Sequence, residues 1–229
     1  VLQPALQVAE EGFPISEGLA RSIAGSEKIR QYPTTMKVYF PNGRAPQPGE
    51  IFTNPDAART LRRLVEAEQQ NAGRGRRVAL KAARDRFYKG DIAREMAAFF
   101  EENGGLYRYE DFAEYTAKVE TPVWVDYRGY GVYKNPSASQ GPAELFALNL
   151  LEGFDLKSLG HNSAYYIHTS AEALKLAFAD REKYLGDTDF IDIPYRGLLS
   201  KEYARARRQL IDPNRASFEL RPGTPEEFT

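Results

Sequence analysis

The sequence predicts an α+β fold, mostly helical with a single β-hairpin. Two observations carry the helices: apolar residues recur at helical spacing over 91–102 and again from 163 to 185. A third carries the hairpin: 119–135 turns aromatic and β-branched and is interrupted by Arg128-Gly129.

Taken in order, residues 2–11 read as a short helix stopped at Gly12, and Pro14 with Ser16 opens another through about Ile23. "YPTTMKVYFPNGRAPQPGE" is rich in proline and glycine, with "KVYF" as a short strand before a turn at Asn42-Gly43. Asn54-Pro55-Asp56 begins the next helix, Asn54 as N-cap and Pro55 at the first helical position, with Leu61, Leu64 and Val65 as its stripe. In "DIAREMAAFFEENGG", Ile92, Met96, Phe99 and Phe100 share a face, Asp91 is placed to cap the start, and Gly104-Gly105 end it. "YEDFAEY" is a further short helix. After the hairpin come a helix over about 142–152 and a longer one from Ser163 to a stop at Gly186. Ile167, Ala171, Leu174, Phe178 and Leu185 form the apolar face of that longer helix. Alanines at 164, 171, 173, 177 and 179 keep it slim enough for close approach by a neighbour. Residues 1–215 form the folded part, and 216–229, including Thr229, read as an extended or disordered tail.

At 229 residues, 42% hydrophobic, the chain can bury a substantial core. A formal net charge of -1 argues against nucleic acid, which needs a basic excess. The one basic cluster, Arg74, Arg76 and Arg77 in "NAGRGRR", reads as a solvated loop. There is no cysteine, so disulfides, thiolate metal sites and cysteine nucleophiles are excluded. No stretch has the ~20 apolar residues that span a bilayer. The chain opens at Val1 inside a helical pattern, which suggests a fragment or a processed product.

The stretch "KNPSASQGPAE", 134–144, sets Ser137 and Ser139 on a strand-to-helix turn, where nucleophilic serines often stand. The elbow glycine two places before the nucleophile is absent. Of the only histidines, His161 precedes the cap of the long helix and His168 follows Ile167 on it, and neither is tied to either serine. Helix packing explains His168, and Ser139 reads as a helix cap. Two histidines cannot make a His₃ metal site. Asp187, Asp189 and Asp192 lack the glycine and closing glutamate of a calcium loop. No nucleotide-binding glycine motif is present. Adjacent Glu101-Glu102 and Glu226-Glu227 are solvated carboxylates. No complete catalytic constellation, metal site or cofactor site follows from the residues.

Several runs in order resemble the large subunit of γ-glutamyltransferases: "LQPALQVAEEGFPIS", "FYKGDIA", "NGGLYRYEDFAEY", "YRGYGVYKNPSASQGPAE", residues 148–190, and "IDPNRA". The resemblance covers roughly the C-terminal two-thirds of such a subunit. It implies a share in the αββα sandwich of N-terminal nucleophile hydrolases. The precursor cuts itself, and the new amino-terminal threonine of a small subunit becomes the nucleophile, with its own α-amine as base. The scarcity of histidine agrees with that chemistry. It further implies γ-glutamyl amide substrates such as glutathione, transfer to water or an amine, no cofactor, and a periplasmic or extracellular location. The threonine and the arginine that grips the substrate α-carboxylate would both lie outside this chain, leaving it inactive alone. Apolar helix faces would then be exposed or covered by self-association.

The family's Pro-Pro-Pro-Ser-Ser-Gly-Gly turn is matched by Asn135 to Gly141, with Ala138 for a serine and Gln140 for a glycine. Ser137, Ser139 and Gln140 are thereby expected to border the substrate pocket. The departures leave open an acylase or a poly-γ-glutamate depolymerase. A non-catalytic binding or scaffold homologue and a serine hydrolase remain as alternatives of other classes.

Overall fold

The computed structural model describes residues 1–228; Thr229, read above as ordinary tail, lies outside them. The chain divides into two compact units, the first ending at Ala117 and the second beginning at Lys118.

In the first unit, α1 (Gln3–Glu11) ends at Gly12, whose N–H still reaches the Val8 carbonyl and whose φ of +82° turns the chain out of the helix. A two-residue strand β1 (Phe13–Pro14) pairs antiparallel with β2 (Ile51–Phe52). The Ser16 hydroxyl accepts the Leu19 N–H and caps α2 (Glu17–Gly25). "KVYF" is not a strand: residues 37–39 complete helix α3 (Pro33–Tyr39). Pro33 starts that helix, and its turns bring Met36, Tyr39 and Phe40 onto Ile15, Ala20 and Ile23 in one apolar cluster. Local β-propensity yields here to burial.

The Asn54 side chain accepts the Ala57 N–H at 3.0 Å and opens α4 (Pro55–Gln70). Leu61, Leu64 and Val65 are only half-buried; Ala58 and Ala67 are the fully buried positions of α4. Helix α5 (Arg76–Tyr88), for which no sequence signal was read and whose first residues fall in the cluster expected to be a loop, packs on α4. Arg74 ends a short 3-10 turn, whereas Arg76 and Arg77 are already helical. In α6 (Asp91–Glu102) the N-cap position is Gly90, not Asp91. The Asp91 carboxylate is taken instead by Arg86, whose Nε donates to it at 3.1 Å. That contact, over the opposing effect of burial, holds its pKa below the usual aspartate value. Gly104, at φ +73°, follows the end of α6, and α7 (Tyr109–Ala113) completes the unit.

The second unit opens with the expected hairpin, β3 (Val123–Tyr127) and β4 (Tyr130–Lys134), in register from Val123↔Lys134 to Tyr127↔Tyr130. Its two-residue turn needs φ > 0 at both positions. Gly129 (+87°) takes this freely and Arg128 (+54°) does not. The Arg128 N–H donates to Glu152 and its guanidinium to the Phe154 carbonyl at 2.7 Å, which fastens the strained residue. Then come α8 (Gly141–Leu151), α9 (Ala164–Tyr184), α10 (Tyr195–Leu198) and α11 (Lys201–Arg208). The last two were not read from sequence. Ser163 and Ser200 cap α9 and α11 by accepting the N–H groups of Tyr166 and Tyr203.

The core of this unit is α8 against α9. Phe146, Ala147 and Leu150 meet Ala173, Leu176 and Ala177, with Leu198, Tyr203 and Ala204 closing the sides. Ala173 and Ala177 are 0% exposed, so the slim face invites close packing as expected. Of the apolar stripe proposed for α9, only Leu185, just past the helix end, packs against that core. Ile167, Leu174 and Phe178 are exposed, while Glu172, Ala173, Leu176, Ala177 and Asp180 point inward. Apolar periodicity chose the wrong face because the buried side accepts two carboxylates whose partners lie far along the chain.

Candidate functional site

The turn at 134–144 is built from its own polar groups. Ser137 Oγ donates to the Gly186 carbonyl at 2.8 Å, tying the turn to the end of α9. Ser139 Oγ accepts the Gly141 N–H at 3.1 Å and lies within hydrogen-bond reach of the Asn135 and Pro136 carbonyls. It satisfies the first N–H of α8, although the N-cap position itself belongs to Gln140, whose side chain makes no cap. An added Cβ at Gly141 would lie 2.7 Å from Lys134 Cβ and 2.9 Å from the Asn135 carbonyl oxygen, so glycine is required for the chain to fold back here. Ser137 and Ser139 are half-buried and Gln140 is exposed, all three on one short arc. Tyr195 faces Ser137; burial pushes its phenol pKa up, with Ser137 acting in the opposite sense.

Neither serine has the partner a nucleophile needs. His168 Nε2 is 2.7 Å from the Asp212 carbonyl, beyond α11, and so donates there. Asp187 accepts the Asp189 N–H, and Asp189 pairs with Lys118. Among the described residues no three histidine, aspartate or glutamate side chains gather as a metal would require.

Two polar clusters carry far more of the architecture, and both were missed from sequence. In one, Lys201 Nζ donates to Asn149 Oδ1 (2.8 Å), Glu152 (2.7 Å) and the Asp126 carbonyl, joining α11, α8 and the hairpin. In the other, α9 holds the C-terminal segment. Glu172, 1% exposed, accepts from Lys175 (2.6 Å), Arg221 (3.1 Å) and the Ser217 N–H (3.2 Å). Burial opposes its charge, but those donors outweigh it and keep its pKa below the usual glutamate value. Asp180, 3% exposed, accepts the Gly223 N–H at 2.8 Å and both an Nε (3.4 Å) and an Nη2 (3.3 Å) bond from Arg207. There burial wins over Gly223 and Arg207, and the pKa is raised. The signal was present: Ala173, Leu176, Ala177 and Asp180 follow the i, i+3, i+4, i+7 pattern, with an aspartate in the last place.

The second unit is therefore a scaffold with a structured strand-to-helix turn and a pinned C-terminal segment, and among its described residues neither Ser137 nor Ser139 is paired with a base. Known proteins match it throughout. The family model for gamma-glutamyltranspeptidase matches residues 1–227. The chain is 37% identical over 228 residues to the glutathione hydrolase proenzyme of Escherichia coli K12, covering 97% of this chain and 37% of that protein. It superposes on the gamma-glutamyltranspeptidase of Helicobacter pylori with a TM-score of 0.84 at 31% identity, covering 97% of this chain and 61% of that one. The cephalosporin acylase of Bacillus halodurans gives 0.79 at 33% identity, covering 97% and 39% respectively. The chain thus spans well under half the length of the glutathione hydrolase proenzyme it matches. The order of the short motifs, the structural match and a family match running from the first residue to the 227th agree, and the chain belongs to the gamma-glutamyltranspeptidase family.

Proposed function

We propose that this chain is large-subunit scaffold of an enzyme that cleaves γ-glutamyl amides such as glutathione and passes the γ-glutamyl group to water or an amine. The single observation behind this reading is the family match across residues 1–227. The nucleophile is a threonine outside these 229 residues, at the amino terminus of a small subunit released by self-cleavage. Its hydroxyl oxygen attacks the γ-carbonyl while its own α-amine takes the proton. Backbone N–H groups hold the resulting oxyanion. The C–N bond then breaks, the departing amine receives that proton, and an acyl ester remains for water or a second amine to attack. No histidine is needed, in keeping with a chain that has two. The helices described here would cover one side of an αββα sandwich that the small subunit completes, in a periplasmic or extracellular enzyme.

Ser137, Ser139 and Gln140 form a wall of the pocket in this reading. Support comes from the turn's rigid hydrogen bonding and its match to the family's serine-glycine run. If Gln140→Gly in the whole enzyme leaves substrate preference unchanged, the wall assignment is wrong. A second reading, an acylase acting on other amides, is favoured by Ala138 and Gln140 and by the similarity to a cephalosporin acylase. The deciding experiment compares the full precursor with the 229-residue chain on γ-glutamyl-p-nitroanilide and on a cephalosporin side-chain amide. The precursor should mature and release p-nitroaniline, and the chain alone should release none. Steady turnover by the pure chain refutes the scaffold reading; turnover of the cephalosporin amide alone selects the acylase.

A further inference from the structure

We propose that Glu172 and Asp180 are positioning residues for self-cleavage: from the buried face of α9 they clamp residues 217–225 and so aim the chain that follows. The proposal rests on the reading above, that the full protein is a self-cleaving precursor.

Residues 217–224 contain no helix or strand, and a segment of that kind normally leaves its backbone groups to water. Here they are claimed by side chains of α9 and α11. The Ser217 N–H goes to Glu172 and the Gly223 N–H to Asp180, about two helical turns further on. The Gly223 carbonyl accepts from the Tyr184 hydroxyl at 2.7 Å and from Lys183 at 3.3 Å. Arginines cross-link the two points: Arg221 reaches Glu172, and Arg207, already on Asp180, donates to the Arg221 carbonyl. Gly223 has no room for a side chain, since an added Cβ would strike the Tyr203 hydroxyl and lie 2.8 Å from Arg207 Cδ. Just beyond, Pro225 is buried against Gly197 and Phe228 packs edge-on to Tyr203 at 5.4 Å.

Buried charges are a poor means of stabilising a fold, because their desolvation offsets the attraction. Two of them on one helix, both directed at the same irregular segment, fit a requirement for position. Cleavage of a peptide bond by a neighbouring hydroxyl depends steeply on approach, and a displacement of about 1 Å can slow such a reaction ~100-fold.

The test uses the full precursor and follows its conversion into two subunits by gel, alongside amide hydrogen exchange. Glu172→Ala and Asp180→Ala should each slow conversion about ten- to a hundredfold. Faster exchange should be confined to 217–225. Asp180→Asn, which keeps an acceptor for the Gly223 N–H, should recover part of the rate. Conversion at the wild-type rate with 217–225 released overturns the clamp. If the Asp180 variants fail to fold, Gly223→Ala, which displaces the segment from the other side, is held to the same two outcomes. A wild-type precursor that never cleaves overturns the precursor reading and this proposal together; equal rates in wild type and variants overturn this proposal alone.

Discussion

Replacing Gly153 by alanine isolates one contact that ends helix α8. An added Cβ would fall inside the Arg208 guanidinium, which must then move away. Arg208 Nε now donates to the Leu150 carbonyl at 3.0 Å and its Nη2 to the Asn149 carbonyl at 3.2 Å. These are among the last carbonyls of the helix, which have no partner within it. Burial lowers the Arg208 pKa, so the charge is held there at some expense. A charged hydrogen bond contributes about 1.5–3 kcal/mol. Water can reach this half-buried group, so the pair is worth ~2–3 kcal/mol rather than the full sum. Alanine restricts the unfolded chain and returns about 0.4–1 kcal/mol. The net loss is about 1–2.6 kcal/mol, or a fall in Tm of about 2–10 °C for a chain of this size. Thermal unfolding by circular dichroism measures it, and a double-mutant cycle identifies its origin. In an Arg208→Ala background, Gly153→Ala should be neutral or slightly stabilising. An equal loss in both backgrounds, with coupling below about 0.5 kcal/mol, refutes the reasoning.

Lys201→Met should destabilise by about 1–3 kcal/mol, because Asn149 Oδ1, in a residue 0% exposed, loses its donor; an unshifted urea midpoint would contradict this. On α9, Leu176→Ala should cost about 2–5 kcal/mol. Leu174→Gln in the 229-residue chain should stay within ~0.5 kcal/mol; the reverse ranking would restore the face predicted from periodicity. Glu50 is held at a pKa of about 2 by bonds from Arg44 and the Gln47 N–H. A folded pKa depressed below the unfolded value of about 4.3 means its contribution is complete above that pH and lost as pH falls through about 2. A carboxyl NMR titration with its midpoint in the ordinary glutamate range would show the Arg44 bridge absent in solution.

The legible part of this protein was its punctuation. Gly12, Asn54, the hairpin turn at Arg128-Gly129, and the caps at Ser16 and Ser163 stand where the sequence places them. Each depends on backbone conformation and on hydrogen bonds spanning only a few residues, except that Arg128 is also fastened by Glu152 and Phe154. Membership of the family was likewise readable from the order of short motifs over nearly the whole chain. "KVYF" failed as a strand because Pro33 starts a helix four residues earlier and distant apolar partners reward it. Asp91 failed as a cap because Arg86 takes its carboxylate.

The face of α9 was decided by tertiary structure alone. Periodicity offered two stripes, and the more apolar one, with Ile167, Leu174 and Phe178, is the one left outside. What turned the helix was the small volume of Ala173 and Ala177 against α8, together with donors for Glu172 and Asp180 that come from residues 207–223. A carboxylate can be buried only where such donors converge. That convergence joins residues about thirty to fifty positions apart, a separation over which a local pattern carries no information.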